Sequence, residues 1–119
     1  MRLLGIDAPE IGQTCMVDAL PVPCGRHARD ALAELVKDGV SCRSRSRDAY
    51  GRALVTCRTR DGDVSEHMVA LGHAVAAGCC RAQEVEARRA RRGLWAGSFD
   101  RPADWRRAHP VRVRHERRS

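Results

Sequence analysis

The sequence predicts an α+β domain built on a small β-barrel. Three observations lead there: short strand-like segments come first, one helix is inserted among them, and further helices follow. A chain of 119 residues has room for one domain with one modest core. Three strands are convincing, whereas a five-stranded barrel needs two more. The expected architecture is therefore a small barrel for which the sequence shows two strands too few.

The elements follow in order. Residues 1–6 read as a short strand, left by the turn Asp7-Ala8-Pro9-Glu10. Residues 11–23, holding Gly12, Pro21 and Pro23, read as irregular. A helix is predicted over 24–36, with Ala28, Ala31, Leu32 and Leu35 along one face, and Asp38-Gly39 ends it. Two runs, 40–47 and 52–60, flank Asp48-Ala49-Tyr50-Gly51 as a hairpin. A symmetric turn pairs Val40 with Thr59, Cys42 with Cys57 and Ser44 with Val55, and sends Arg43, Arg45 and Arg47 to the opposite face.

After the turn Asp61-Gly62, a second helix is expected over 64–71, capped by Gly72, and then a short extended piece over 73–77. A third helix is expected over 81–92, with Ala82, Val85 and Ala90 as its apolar side and Gly93 at its end. Leu94, Trp95, Phe99 and Trp105 form an anchoring cluster. The domain is expected over 1–105, and residues 106–119 read as a basic, disordered tail.

Composition narrows the function classes. No apolar run approaches the roughly 18 residues that cross a bilayer, so a membrane partner is not expected. Net charge is +7, carried by 21 arginines against the single lysine Lys37. Arginine binds phosphate through its planar fork, which makes a polyanion the natural partner; a solvated face accounts equally well for any single arginine. Six cysteines suit an oxidising compartment, yet no export signal precedes the first strand. The localisation expected is therefore secreted or periplasmic if a signal lies upstream, and otherwise cytoplasmic.

The cysteines form no Cys-x-x-Cys pair, so structural zinc is not expected. Cys15 and Cys24 flank a short loop and Cys42 faces Cys57 across the hairpin, giving two candidate disulfides. Cys79 and Cys80 do not readily bridge each other in an ordinary backbone, and stay free or pair outside the chain.

Two clusters carry chemistry: Arg2-Leu3-Leu4-Gly5-Ile6-Asp7-Ala8-Pro9-Glu10 and Asp48-Ala49-Tyr50-Gly51-Arg52-Ala53-Leu54. Each places charged groups at the end of an apolar strand. Asp7 and the Ala8 carbonyl are hard oxygen donors suited to calcium or magnesium. Glu10 lies close enough to act on water, and Arg2 and Arg52 can neutralise charge building on a phosphorane-like transition state. Phosphodiester hydrolysis needs those functions together.

Taken together, the clusters resemble the staphylococcal nuclease (thermonuclease) family, whose domain is an OB-type barrel with three helices. The resemblance runs from Met1 to Trp105 and takes in Cys24-Gly25 with Ala28, Met68-Val69, Gly72-His73-Ala74 and Gly93-Leu94-Trp95. It implies that Arg2 and Arg52 bind phosphate, that Glu10 activates or orients water, and that Asp7 and the Ala8 carbonyl ligate calcium. Asp48 reads as a turn-stabilising residue and Tyr50 as a substrate contact. The family's second calcium aspartate lies on a hairpin upstream of the first motif, so the resemblance implies a barrel lacking two N-terminal strands, a domain over 1–105 incomplete at its N-terminus, and residues 1–6 as an exposed apolar edge. The family's tyrosines after the second helix are replaced here by Ala77, Gly78, Cys79 and Cys80. The expected function is a calcium-dependent nuclease, a monomer acting on DNA or RNA; the alternative is a non-catalytic nucleic-acid-binding OB-fold module.

Overall fold

The computed structural model describes residues 2–110. Strand β1 (Arg2–Leu3) is followed at once by β2 (Ile6–Asp7), because the chain turns at Leu4-Gly5. The single strand expected over residues 1–6 is thus two short ones. Gly5 takes φ +85°, and its carbonyl accepts from the Ala77 and Cys79 amides at 2.8 and 3.2 Å. A side chain there would press on Cys79.

Residues 11–23, expected to be irregular, contain a small hairpin of β3 (Cys15–Val17) and β4 (Leu20–Val22). Its turn residues Asp18 and Ala19 both take positive φ, 52° and 65°. Turns of that kind are normally marked by glycine, and this one has none.

Helix α1 (Cys24–Val36) occupies the predicted span, with Ala28 buried and Ala31, Leu32 and Leu35 packed against the core. Strands β5 (Ser41–Arg47) and β6 (Ala53–Thr59) form the predicted antiparallel hairpin, with Cys42 opposite Cys57 and Ser44 opposite Val55. A register shift between Ser44 and Ser46 then sets Ser46 against Leu54 and Arg47 against Ala53. Arg47 therefore leaves the face that Arg43 occupies, which corrects the expected row of three.

Strand β7 (Gly62–Asp63) leads into α2 (Val64–Ala70), whose Asp63 cap accepts from the Glu66 amide at 2.9 Å. Strand β8 (Val75–Ala76) is the expected extended piece. Helix α3 (Arg81–Ala90) ends two residues early, at a left-handed Arg91, and buries Ala87 rather than Val85, which is exposed.

The sheet order is β1-β6-β5, with β7 also on β6; β2 pairs with β8 apart from it. The architecture is α+β and OB-like, but among the described residues the sheet is open, not closed into a barrel. One core cluster holds Ile6, Val55, Val64, Met68, Val69 and Ala74; a second gathers Cys15, Cys24, Val75 and Leu94 against Trp95 and Phe99. Trp105 stands apart from that anchor and stacks on His109 at 4.1 Å.

All six cysteines are paired: Cys15–Cys24, Cys42–Cys57 and Cys79–Cys80. The first two are the expected ones. The third corrects the expectation, and its physical reason is local: Cys80 takes φ 70°, outside ordinary extended or helical backbone.

A fourth helix, α4 (Pro102–Ala108), carries Arg106. The boundary expected at 105 falls inside this helix. The basic residues 111–119 lie outside the described residues.

Candidate functional site

The pairing of β2 with β8, Asp7 opposite Val75, fixes Asp7 at the end of an apolar strand. The loop that follows is held by Gln13, whose side chain is almost wholly buried. Gln13 Oε1 accepts from the Glu10 amide at 3.2 Å, its Nε2 donates to the Asp100 carbonyl at 2.7 Å, and its backbone amide donates to the Glu10 carbonyl at 2.8 Å. The start of α1 packs against the same loop. The Gly25 amide donates to the Gln13 carbonyl at 3.1 Å, and a Cβ on Gly25 would fall on the Glu10 carbonyl oxygen. Only glycine permits that approach.

The acidic pair so placed meets two guanidinium groups. Arg2 Nη2 donates to Asp7 Oδ1 at 2.9 Å. Arg106 is forked over both carboxylates: Nη1 to Asp7 Oδ1 at 3.1 Å, Nη2 to Asp7 Oδ2 at 3.1 Å, and Nη1 to Glu10 Oε2 at 2.8 Å. Side-chain exposure falls from 40% at Glu10 through 35% at Arg106 to 13% at Asp7. Hydrogen bonds to Asp7 hold the Arg106 pKa above its ordinary value; desolvation opposes them, and Glu10 adds to them. Two cations thus balance two anions.

The second cluster is a turn built by Asp48. Its Oδ1 accepts from the Tyr50 and Arg52 amides at 2.8 and 2.9 Å, and its Oδ2 accepts from Arg52 Nε at 2.7 Å. Desolvation would raise the Asp48 pKa, but the amide bonds from Arg52 and Tyr50 and the Arg52 guanidinium outweigh it, and the net shift is downward. Tyr50 is 84% exposed, with the Arg52 guanidinium 5.7 Å from its ring centroid.

The structure therefore brings Arg2, Asp7 and Glu10 together, with the Ala8 carbonyl in the loop between the carboxylates. Arg52 is not in hydrogen-bond contact with them. It precedes Leu54 by two residues, and Leu54 is the partner of Arg2 in the parallel β1–β6 pairing, so both arginines sit on one face of one sheet.

Sequence reasoning missed Gln13 and Arg106. Gln13 lay in a stretch without periodicity, and Arg106 was one arginine in a basic run; the Pro102-Ala103-Asp104 opening, a helix start with Pro at its first position, was the available signal.

Calcium takes six to eight oxygen ligands. Both Asp7 oxygens and Glu10 Oε2 are committed to guanidinium donors. Among the described residues no group of three or more His, Cys, Asp or Glu side chains could hold a metal ion. The described donor set does not fit calcium as it stands.

No helix among the described residues is long and apolar enough to cross a membrane. The family model described as staphylococcal nuclease homologue matches residues 1–97, which includes both clusters and ends before α4. The chain is 34% identical over 115 residues to the probable staphylococcal-like nuclease CAN3 of Oryza sativa subsp. japonica, covering 90% of this chain and 28% of that protein. A second rice protein, the probable staphylococcal-like nuclease CAN2, is also 34% identical over 115 residues, covering 90% of this chain and 29% of its own length. The succinoglycan biosynthesis protein ExoI of Rhizobium meliloti (strain 1021) is 33% identical over 79 residues, 63% of this chain and 41% of that one. The chain spans less than a third of the two rice relatives it matches. On the strength of the family match and the two motifs it contains, the chain belongs to the staphylococcal nuclease homologue family.

Proposed function

We propose that this domain hydrolyses phosphodiester bonds of DNA or RNA in a metal-dependent reaction. The observation that carries the reading is that Arg2, Asp7 and Glu10 converge while Arg52 shares the sheet face of Arg2. In this reading Arg2 and Arg52 grip the scissile phosphate and neutralise the charge that develops on its oxygens in the transition state. Glu10, the more exposed of the two carboxylates, orients the attacking water or takes its proton. Tyr50, fully presented beside Arg52, contacts the substrate.

Calcium is the ion the family resemblance implies. Asp7 and the Ala8 carbonyl would be its contacts in this chain, and it would need further oxygen ligands and the withdrawal of Arg106. The three disulfides suit an oxidising, extracellular setting.

The test is cleavage of single-stranded DNA and of RNA, with calcium and with chelator, by the wild type and by Glu10→Gln and Arg52→Ala. Loss of roughly a hundredfold or more in rate is expected for each variant, with an unchanged circular dichroism spectrum. Equal rates in all three proteins would overturn the assignment.

A second reading, a nucleic-acid-binding module without catalysis, is favoured by one observation: both carboxylates are already neutralised by Arg2 and Arg106. Oligonucleotide binding without metal-dependent cleavage selects it.

A further inference from the structure

We propose that the outer face of the β5–β6 hairpin is a track for the phosphate backbone of a single nucleic-acid strand, leading away from the candidate site. The proposal rests on the nucleic-acid reading above and adds to it a second binding surface, built from residues outside both motifs.

The track follows from register. Val55 and Cys57 point into the core, so Leu54, Thr56 and Arg58 take the other face of β6. Paired residues share a face: Arg2 sits opposite Leu54 and Arg43 opposite Thr56. Arg45, at the register shift, donates from Nε to Thr56 Oγ1 at 2.9 Å, which holds it on the same side. Arg52 continues the row at the turn end. One face of one sheet therefore carries Arg2 and Arg52 at one end and Arg43, Arg45 and Arg58 toward the other.

At that far end the surface is concave. Arg43, Arg45, Arg58 and Arg60 line a groove of about 690 Å³ together with Ser41, Thr56 and Thr59. Among the described residues Asp38 is the one carboxylate that lines it. Among the described residues none of these four arginines forms an ion pair, whereas Arg2, Arg52 and Arg106 all do. Four uncompensated guanidinium groups interleaved with hydroxyl donors are chemistry for a chain of phosphates rather than for a single small anion.

Geometry matches a strand lying along β6. The seven residues from Arg52 to Arg58, six steps of an extended chain, span about 20 Å, which is several phosphates. Alternate residues on one strand face repeat at about 6.6 Å, close to the separation of successive phosphates in an extended strand. The groove is sequence-neutral, because it offers cations and hydroxyls but no aromatic ring.

The experiment compares the full chain with the triple variant Arg43→Thr, Arg45→Thr, Arg58→Thr. Threonine keeps the strand preference on an exposed face, and thermal melting checks the fold. Binding is read by fluorescence anisotropy on oligonucleotides of increasing length over a salt series. Hydrolysis is read on a chromogenic phosphodiester too short to reach the groove.

The expected result is on the order of tenfold weaker binding of a long strand, with the slope of log affinity against log salt reduced by about 2. Binding of a dinucleotide and the rate on the short substrate should be unchanged. An unchanged salt slope in the variant, with wild-type binding intact, overturns the track and leaves the nuclease reading standing. Absence of any oligonucleotide binding by the wild type overturns both. Loss of affinity for anionic vesicles, with oligonucleotide binding unaltered, would make the groove a lipid contact and also overturn the proposal.

Discussion

Glu10 and Arg106, 96 residues apart in sequence, meet at 2.8 Å, and the same guanidinium is forked over Asp7. A helix beyond the family match thus supplies the counter-charge of a cluster inside it.

Replacing Arg106 by alanine removes three hydrogen bonds from the acidic pair. Because the group is partly exposed, the stability loss should be about 1 kcal/mol after solvent screening, measured by urea denaturation. Calcium should bind Arg106→Gln more tightly than wild type, since Asp7 and Glu10 are relieved of their donor. Terbium luminescence sensitised by the neighbouring Trp105 reads that directly; unchanged ion affinity would count against competition at this pair.

Gly25→Ala tests how rigidly the Glu10 loop is held. The added methyl collides with the Glu10 carbonyl oxygen, and backbone cannot yield as a flexible side chain can. About 1–3 kcal/mol of stability should be lost, with a fall in cleavage rate beyond that seen for an exposed helical control such as Ala33→Ser.

The Cys42–Cys57 bridge closes 15 residues. Loop-closure entropy of that size corresponds to about 3 kcal/mol. The double variant Cys42→Ser, Cys57→Ser should lower the denaturation midpoint accordingly, and the wild type in strong reductant should shift the same way.

His73 contributes a pH dependence. Burial, with His27 nearby adding to it, lowers its pKa below the ordinary 6.5. The folded protein therefore holds the ring neutral where the unfolded chain would protonate it. Its contribution is fully present above 6.5 and is lost as pH falls through the lowered value. Urea midpoints on either side of that window should show His73→Gln with a flatter profile than wild type; parallel profiles would exclude the residue.

Much of this was readable before any coordinates. The span of α1 follows from apolar spacing alone, and opposed Cys42 and Cys57 follow from a symmetric turn. Arg2, Asp7 and Glu10 lie within nine residues of one another in sequence, on two short strands turned at Leu4-Gly5 and the loop that follows. The β3–β4 hairpin stayed hidden because Asp18 and Ala19 adopt a left-handed turn without glycine. Arg47 was misplaced because one bulged residue inverts every side chain after it. The Cys79–Cys80 bridge depends on a positive φ at Cys80 that no pattern of residue types reports. Arg106 was hidden by chemistry rather than geometry: in a chain with 21 arginines, one more carries no signal.

The 99-residue separation of Arg106 from Asp7 also sets an order of assembly during translation. The carboxylates leave the ribosome 96 and 99 residues ahead of this guanidinium and remain without it over that interval. At the few to twenty residues per second typical of synthesis, that interval lasts on the order of seconds. In that interval Arg2 is the guanidinium already made that pairs with Asp7, while Glu10 awaits its partner on α4.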